Sequence, residues 1–315
     1  MISRRIFLEG LGAAGMACGC RSAFGRMPRH RSDYDGVRIG AITYSFAQMP
    51  GLLRGCTKGF ILAAGLGSVE LMDRDFERDI GVVHREIPAK FLSKEQKIAI
   101  SQWRETADLA PLRDFRAAYE EAGIGIHIVK FGDIGCPWMY SWKEAEYMFK
   151  ATRALGARVI TREVPKVADW SAFRETAEKL IPLMNAYDVD IAFHNHAQIA
   201  ADTYDGALLG YSDHFKINFD VGNYVAANED DPCAFVKKYA DRLASIHVKD
   251  RKRSNGPECP FGQGDTPLKA LFACLKAEKI DVPCDIEVEY PIPEGSTAVR
   301  ETATCRKYCH QAILG

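Results

Sequence analysis

The chain has 315 residues, of which 47% are hydrophobic, and its formal net charge is −1. This is an ordinary globular composition, and it excludes a strongly basic nucleic-acid-binding surface and a long acidic disordered tail. The length suits one large α/β domain or two small ones.

The first thirty residues differ from the rest of the chain. Residues 3–8 read SRRIFL, and after Glu9 mostly small apolar residues follow as far as Gly19. A twin arginine before a short apolar region is typical of an export signal. The apolar stretch is too short and too glycine-rich for a membrane span, which needs roughly 20 apolar residues. We therefore expect residues 1–30 to be a twin-arginine export signal and linker, and the protein to be periplasmic or extracytoplasmic. A lipid anchor at Cys18 or Cys20 stays open.

Residues 31–315 alternate between strand patterns and helix patterns, and we expect them to form one domain. The predicted strands are 37–44, 67–73, 123–131, 157–164, 189–196, 215–222, 243–250 and 283–290. A helix is expected after each strand, and Thr266 is expected to cap the helix that starts at Pro267. Eight βα units in this length predict a (β/α)8 TIM barrel. The competing doubly wound sheet would need a glycine-rich phosphate turn after an early strand, and the sequence has no GxGxxG there.

Residues 74–100 form a long insertion after the second predicted strand. Long connections at the carboxyl end of a barrel strand commonly carry function, so we expect this segment to cover part of the active-site face.

The last four predicted strands alternate between apolar and polar residues. Side chains on a strand point alternately to its two faces, so the apolar set should pack outward on helices and the polar set should point into the barrel. Four metal-ligating residues lie on the polar set near the strand ends: His194, Asp220, His247 and Glu287. Buried charges need a counter-charge, and a divalent cation supplies one. The pattern therefore predicts a site for one divalent metal ion, with Mn²⁺, Co²⁺, Fe²⁺, Zn²⁺ or Mg²⁺ as candidates.

Two further carboxylates, Glu70 and Glu163, lie on the same inward-pointing set of their strands. The alternative to a metal site is a solvated barrel mouth with internal salt bridges to Lys130, Lys249 and Arg253. His127 lies between Ile126 and Ile128 on the other set, and we interpret it as a structural histidine.

Five short motifs occur in a characteristic order: HNH, DVGN, HVKD, FGQGD and IEVEYP. In this order and spacing, residues 37–312 resemble the xylose-isomerase-like TIM-barrel superfamily, and more narrowly its sugar phosphate isomerase/epimerase branch with exported members. The GQG at 262–264 is interpreted as a turn, not as a phosphate cradle.

The resemblance implies one divalent metal held by residues from strands five to eight. Asp220, His247 and Glu287 match the ligand positions of the family. Where the family has a glutamate on strand five, this chain has His194. Glu163 on the neighbouring strand is a candidate for the missing carboxylate, and Glu289 is a rival to Glu287.

The activity implied by the resemblance is proton transfer next to a carbonyl, with Glu163 or Glu287 as the base. The candidate substrate-binding residues are His196, Lys130, Lys249, Arg253 and Tyr44. Because export argues against a phosphorylated substrate, we expect an isomerase or epimerase acting on a free sugar or keto-sugar. A lyase or hydratase acting on a 3-keto-glycoside and a non-catalytic sugar-binding barrel are the alternatives. The phosphodiesterase branch, which cuts DNA at abasic sites, needs three metals and more ligands than these strands offer.

Overall fold

The computed structural model describes residues 32–49, 55–87, 91–136, 139–165, 170–197, 203–204 and 208–315. The expected export segment, with Cys18 and Cys20, lies outside the described residues. Among the residues that are described, none of the helices combines the length and the apolar character needed to cross a membrane.

Eight parallel strands close into a barrel, as predicted. They are β1 (Val37–Ile42), β2 (Ser68–Met72), β3 (Gly125–Lys130), β4 (Val159–Glu163), β5 (Asp190–His194), β6 (Phe215–Asp220), β7 (Leu243–Val248) and β8 (Cys284–Ile286). Each strand pairs with the next one along the chain, and β8 pairs with β1 to complete the ring. A two-residue strand, Asp33–Tyr34, adds an antiparallel edge to β1.

The helices surround this ring. They are α1 (Cys56–Ala63), α2 (Asp73–Asp79), α3 (Lys94–Thr106), α4 (Ala110–Glu121), α5 (Trp142–Ala154), α6 (Trp170–Tyr187), α7 (Val221–Ala227), α8 (Pro232–Lys238), α9 (Leu268–Glu278) and α10 (Ala298–Leu314). Capping boxes start two of them. Ser93 and Gln96 form one at α3, and Ser141 and Glu144 form another at α5.

One expectation about helices was wrong, and another falls partly outside the described residues. In the described part of the β5–β6 connection the regular element is the 3-10 turn Leu209–Tyr211, with no α-helix. At α9 the capping residue is Pro267, not Thr266. The Thr266 hydroxyl instead accepts a hydrogen bond from the Arg251 N–H at 3.1 Å, so it fastens the loop after β7 and is not available as a cap.

The alternation of apolar and polar residues along the strands is confirmed. The apolar set, for example Ile160, Phe193 and Phe219, is fully buried in the core between the strands and the helices. The polar set meets inside the ring. Asn218 on β6 donates to Glu70 on β2 at 3.1 Å, a contact between non-neighbouring strands that only the barrel interior allows.

A β-bulge interrupts the pairing of β2 and β3. Val69 pairs with Ile126 and Glu70 pairs with Ile128, which leaves His127 as the extra residue. The ring of His127 makes hydrogen bonds to Ser68 Oγ at 2.7 Å and to Asp285 Oδ2 at 2.8 Å. These contacts give His127 the partners of a structural histidine.

Candidate metal centre at the carboxyl ends of the strands

The four predicted ligands lie together. His194, Asp220, His247 and Glu287 are all buried, and each offers a ligand atom within 4.8 Å of the others. Strand register explains this, because Asp220 on β6 lies opposite His247 on β7. The carboxyl ends of parallel strands meet at one end of a barrel, where active sites are built.

His194 is held as a neutral ring whose Nε2 is available. The side-chain amide of Asn218 donates to Glu70 and to Ser245, so its oxygen is the acceptor toward His194. The His194 Nδ1–H therefore donates to Asn218 Oδ1 at 2.7 Å, which leaves a lone pair on Nε2. Burial, the Lys130 ammonium and the His247 ring lower the pKa of His194 well below its usual range. A neutral imidazole with one fixed N–H is the form that binds a metal.

His247 lies between two carboxylates. Its Nε2 is 2.8 Å from Glu70 Oε2, and its Nδ1 is 3.2 Å from Glu287 Oε2. Burial alone would lower the pKa of His247, but Glu70 and Glu287 raise it well above its usual range. Because Glu287 belongs to the cluster of possible ligands, Nδ1 is the nitrogen that faces the site. Glu70 then holds the far side of the ring, as in the carboxylate–histidine pairs that support metal ligands.

Asp220 is fixed from several directions. Its backbone N–H donates to Asn195 Oδ1 at 2.8 Å, and its carbonyl accepts from Asn195 Nδ2 at 3.0 Å. Its carboxylate accepts from the backbone N–H of Asn223 at 2.8 Å and from the Asn223 side chain at 2.7 Å. Asn195 and Asn223 were not among the predicted site residues. The HNH and DVGN motifs contain both residues, so the motifs themselves carried the signal.

Lys249 lies inside the cluster. Its ammonium is 3.0 Å from Asp220 Oδ2 and 2.8 Å from Glu287 Oε2, and it also pairs with Glu289. Burial alone would raise the pKa of Glu287, but Lys249 and His247 hold it well below its usual range. Burial and the neighbouring Glu287 raise the pKa of Glu289. Glu287 and Glu289, which the sequence offered as alternative metal ligands, are therefore in different electrostatic environments.

Glu163 lies next to this cluster, at the end of β4 and opposite His194 in the register. Its Oε1 is 2.9 Å from the Lys130 ammonium, and its Oε2 is 3.3 Å from His196 Nδ1. Glu163, His194 and His196 form a second group whose ligand atoms lie within 4.8 Å of one another. Glu163 Oε2 is buried and has no hydrogen-bond donor among the described residues.

The remaining predicted site residues lie in different places. Tyr44 follows β1 and is 40% exposed, and burial and the charges of Glu289 and Glu287 raise its pKa. Arg253 is not brought to the cluster, because its guanidinium donates to the Asn228 carbonyl at 2.9 Å and lies 3.4 Å from Glu229.

The loop after β7 is organised by Asp250 of the HVKD motif. Its carboxylate accepts hydrogen bonds from the backbone N–H groups of Gly262 at 2.8 Å, Gly264 at 2.9 Å and Thr266 at 3.1 Å. The GQG segment is thus a turn tied to Asp250, and its N–H groups are already used.

The donor set fits a divalent transition metal. Two imidazoles and two carboxylates converge from β5, β6, β7 and the residue after β8. The His194 ring presents an unprotonated nitrogen, and Glu163 Oε2, which accepts no hydrogen bond from the described residues, lies beside them. Mixed nitrogen and oxygen donors suit the first-row transition ions.

Several solved structures share this fold. A sugar phosphate isomerase/epimerase from Parabacteroides distasonis has a similar structure, with a TM-score of 0.58 and 14% identity over 93% of this chain and 97% of that chain. D-Psicose 3-epimerase with D-tagatose, from Clostridium cellulolyticum H10, has a TM-score of 0.58 and 12% identity over 88% and 99% of the two chains. The "IOLI protein with a binding zinc atom" has a TM-score of 0.62 and 13% identity over 88% and 98%.

These identities show a shared fold and nothing finer. A search of the curated proteins found no match. The family profile described as xylose isomerase-like TIM barrel matches residues 63–308, which is most of the chain. With its eight-stranded barrel and its motifs in place, this chain belongs to the xylose isomerase-like TIM barrel family.

Proposed function

We propose that this protein is a divalent-metal-dependent isomerase or epimerase that transfers a proton next to the carbonyl of a non-phosphorylated sugar or keto-sugar. The observation that carries the proposal is the convergence of His194, Asp220, His247 and Glu287 beside Glu163, whose buried Oε2 accepts no hydrogen bond from the described residues. Sugar-converting enzymes among the similar structures support the same class of reaction.

The cation, when bound, would polarise the carbonyl and the adjacent hydroxyl of the sugar and stabilise the negative charge that forms. The chain supplies the rest. Glu163 is the proposed base, because its Oε2 has no donor and points into a site beside the ligands. Lys130, 2.9 Å from the other oxygen, fixes the orientation of this carboxylate. His196 and Tyr44 lie at the rim and are proposed to contact sugar hydroxyls.

Glu287 is better suited as a ligand than as a base, because Lys249 and His247 keep its pKa low. Glu289 has the opposite property. A carboxyl group with a raised pKa is a candidate general acid, which would be needed to protonate a departing oxygen. That observation favours, as a second candidate, a lyase acting on a 3-keto-glycoside.

The absence of phosphate from the proposed substrate is supported by the loop after β7. Its Gly262 and Gly264 N–H groups donate to Asp250 and are not free to hold a phosphate. Arg253, one of the basic residues of the same loop, is tied to the Asn228 carbonyl.

Solvent exchange tests the proposal. The purified protein, stripped with chelator and reloaded with Mn²⁺, is incubated with a panel of ketoses, aldoses and 3-keto-glucosides in D₂O. We expect metal-dependent deuterium incorporation next to the carbonyl, lost in Glu163→Gln and retained in the exposed control Glu178→Gln. Release of free aglycone would identify the lyase. A metal-loaded protein that binds sugars without exchange or product would instead be a binding module.

We also propose that residues 1–30 direct twin-arginine export. The supporting observation is the Arg4–Arg5 pair before the short apolar stretch. Replacing both with lysine should leave the full-length precursor in the cytoplasm, and fractionation by immunoblot measures this. Unchanged export of the double-lysine variant would contradict the proposal.

A further inference from the structure

A cavity of about 320 Å³ lies beside the candidate metal centre. It opens where β2 and β3 end, and α3 forms one wall through Lys97 and Ile100. Lys130 lines the cavity and also pairs with Glu163. One side chain therefore borders both the cavity and the proposed base. The volume is at the lower end of the roughly 300–1,000 Å³ range of small-molecule sites.

The charged wall of this cavity is held by internal ion pairs. Arg85 Nε and Arg104 Nε lie 2.7 Å and 2.9 Å from the two oxygens of Glu77, and both guanidinium groups also reach Asp73 at 2.7 Å and 2.6 Å. Arg104 has a further partner in Asp133 at 3.2 Å. Arg74 and Lys97 also line the cavity, so its wall holds four cations with these two arginines. Four carboxylates balance them in number: Asp73, Glu77, Asp133 and Glu144, the last 3.5 Å from Arg104. The wall therefore presents fixed hydrogen-bonding groups without the excess of positive charge that would select phosphate or sulfate.

An aromatic ring stands at the edge of the same cavity. Tyr140 lines it and is 45% exposed, although large aromatic side chains usually bury most of their surface. Its backbone N–H donates to Glu144 at 2.9 Å, which fixes the chain at the start of α5 independently of the ring. An exposed aromatic face beside fixed polar groups can accept the apolar face of a sugar ring while the polar groups bind its hydroxyls.

We propose that this cavity is a subsite for a second, uncharged sugar ring. The substrate would then be a glycoside of disaccharide size, with the reacting ring over the metal centre and the second ring against Tyr140. Only the assignment of the reacting ring rests on the proposed function. The presence of a sugar subsite rests on the cavity, its neutralised wall and its aromatic edge.

Gly132 provides a direct test, because it lines the cavity and a Cβ added to it would meet no atom within 4 Å. A Gly132→Leu side chain should therefore fill the cavity and leave the barrel intact. Isothermal titration of glucose, methyl glucoside, cellobiose, maltose and trehalose into the Mn²⁺-loaded protein measures the effect. We expect at least one disaccharide to bind about tenfold more tightly than either monosaccharide, and Gly132→Leu and Tyr140→Ala to remove that difference.

A further test variant and its matched control are available on α3. Lys97→Ala, on the cavity wall, should weaken disaccharide binding, whereas Lys94→Ala, one turn earlier on α3, should not. Binding of monosaccharide should stay within about twofold in all four variants, with circular dichroism confirming the fold. Equal binding of one-ring and two-ring sugars, or an unchanged preference in Gly132→Leu, would overturn the subsite. Selective disaccharide binding without any turnover would leave the subsite standing and overturn the proposed function alone.

Discussion

Glu70 is not one of the four candidate ligands, but it holds one of them, His247, in place. It is fully buried, accepts from Thr161 at 2.6 Å and Asn218 at 3.1 Å, and holds His247 Nε2 at 2.8 Å. Glu70→Gln keeps the shape but removes the charge that orients and polarises the ring. We expect metal affinity to fall by about 10- to 100-fold, measured by competition with a fluorescent chelator. The exposed variant Glu178→Gln should be unchanged, and equal affinities in both variants would show that Glu70 only packs.

The two histidines of the site should respond differently to pH. In the metal-free protein His247 carries a proton, because its pKa is raised, whereas His194 is neutral, because its pKa is lowered. A metal ion must displace the His247 proton, so affinity should rise with pH, with a slope of about one proton per ion near pH 7. Calorimetry in buffers of different ionisation enthalpy counts that proton. A slope near zero would mean that metal binding releases no proton and that His247 is already neutral in the metal-free protein.

The stability of the metal-free protein should respond to the same group with the opposite sign. A raised folded-state pKa of His247 stabilises the fold fully below the pKa of the unfolded chain. That contribution is lost as the pH rises through the folded-state value.

Alternation within single strands was enough to predict that His194, Asp220, His247 and Glu287 lie together, because the barrel interior accepts only one face of each strand. It could not predict the phase of His127, since the bulge opposite Val69 and Glu70 inserts one residue into β3. Nor could it predict that Lys249 pairs with three carboxylates, because those partners come from β6 and from the chain after β8. Contacts between distant strands depend on how the barrel closes and how far its strands are staggered, and a local sequence pattern does not predict either.

At the scale of elements, the junction of α7 with β7 depends on close backbone approach. A Cβ on Gly222 would lie 2.7 Å from the Lys249 carbonyl oxygen, which is backbone and cannot move aside easily. Gly222→Ala should therefore destabilise the protein by about 1–3 kcal/mol, as overpacked sites do. It should also displace Asp220, which precedes α7. Gly59→Ala in α1 is the matched control, because its Cβ would meet nothing within 4 Å. This substitution should raise the free energy of unfolding by up to about 1 kcal/mol, since alanine is favoured over glycine in a helix. Denaturant unfolding of both variants tests this, and equal shifts would contradict it.

Elements with strong periodicity were predicted well, and connections were not. All eight strands lie where alternation placed them, although β8 is three residues long because the chain leaves the sheet before Glu287. The connection from β5 to β6 lacks the expected helix in its described part, and the start of α9 was misplaced because Thr266 bonds Arg251. The insertion after β2 was expected to cover part of the active-site face. In the structure α3, which begins in this insertion, forms one wall of the cavity beside the candidate metal centre.

At the scale of the whole molecule, the site ties four strands of the closed ring to one another. His194, Asp220, His247 and Glu287 come from β5, β6, β7 and the end of β8, so unfolding must separate all of them. A metal that binds only the folded state therefore stabilises the entire barrel. The gain is about 2.7 kcal/mol when the free metal is at 100 times its dissociation constant.

We expect chelator to lower the melting temperature of the purified protein and Mn²⁺ or Zn²⁺ to restore it. The melting temperature of His247→Ala should be the same with and without metal. If chelator leaves the melting temperature of the wild-type protein unchanged, then the ion pairs of Lys249, and not a metal ion, hold these strands together.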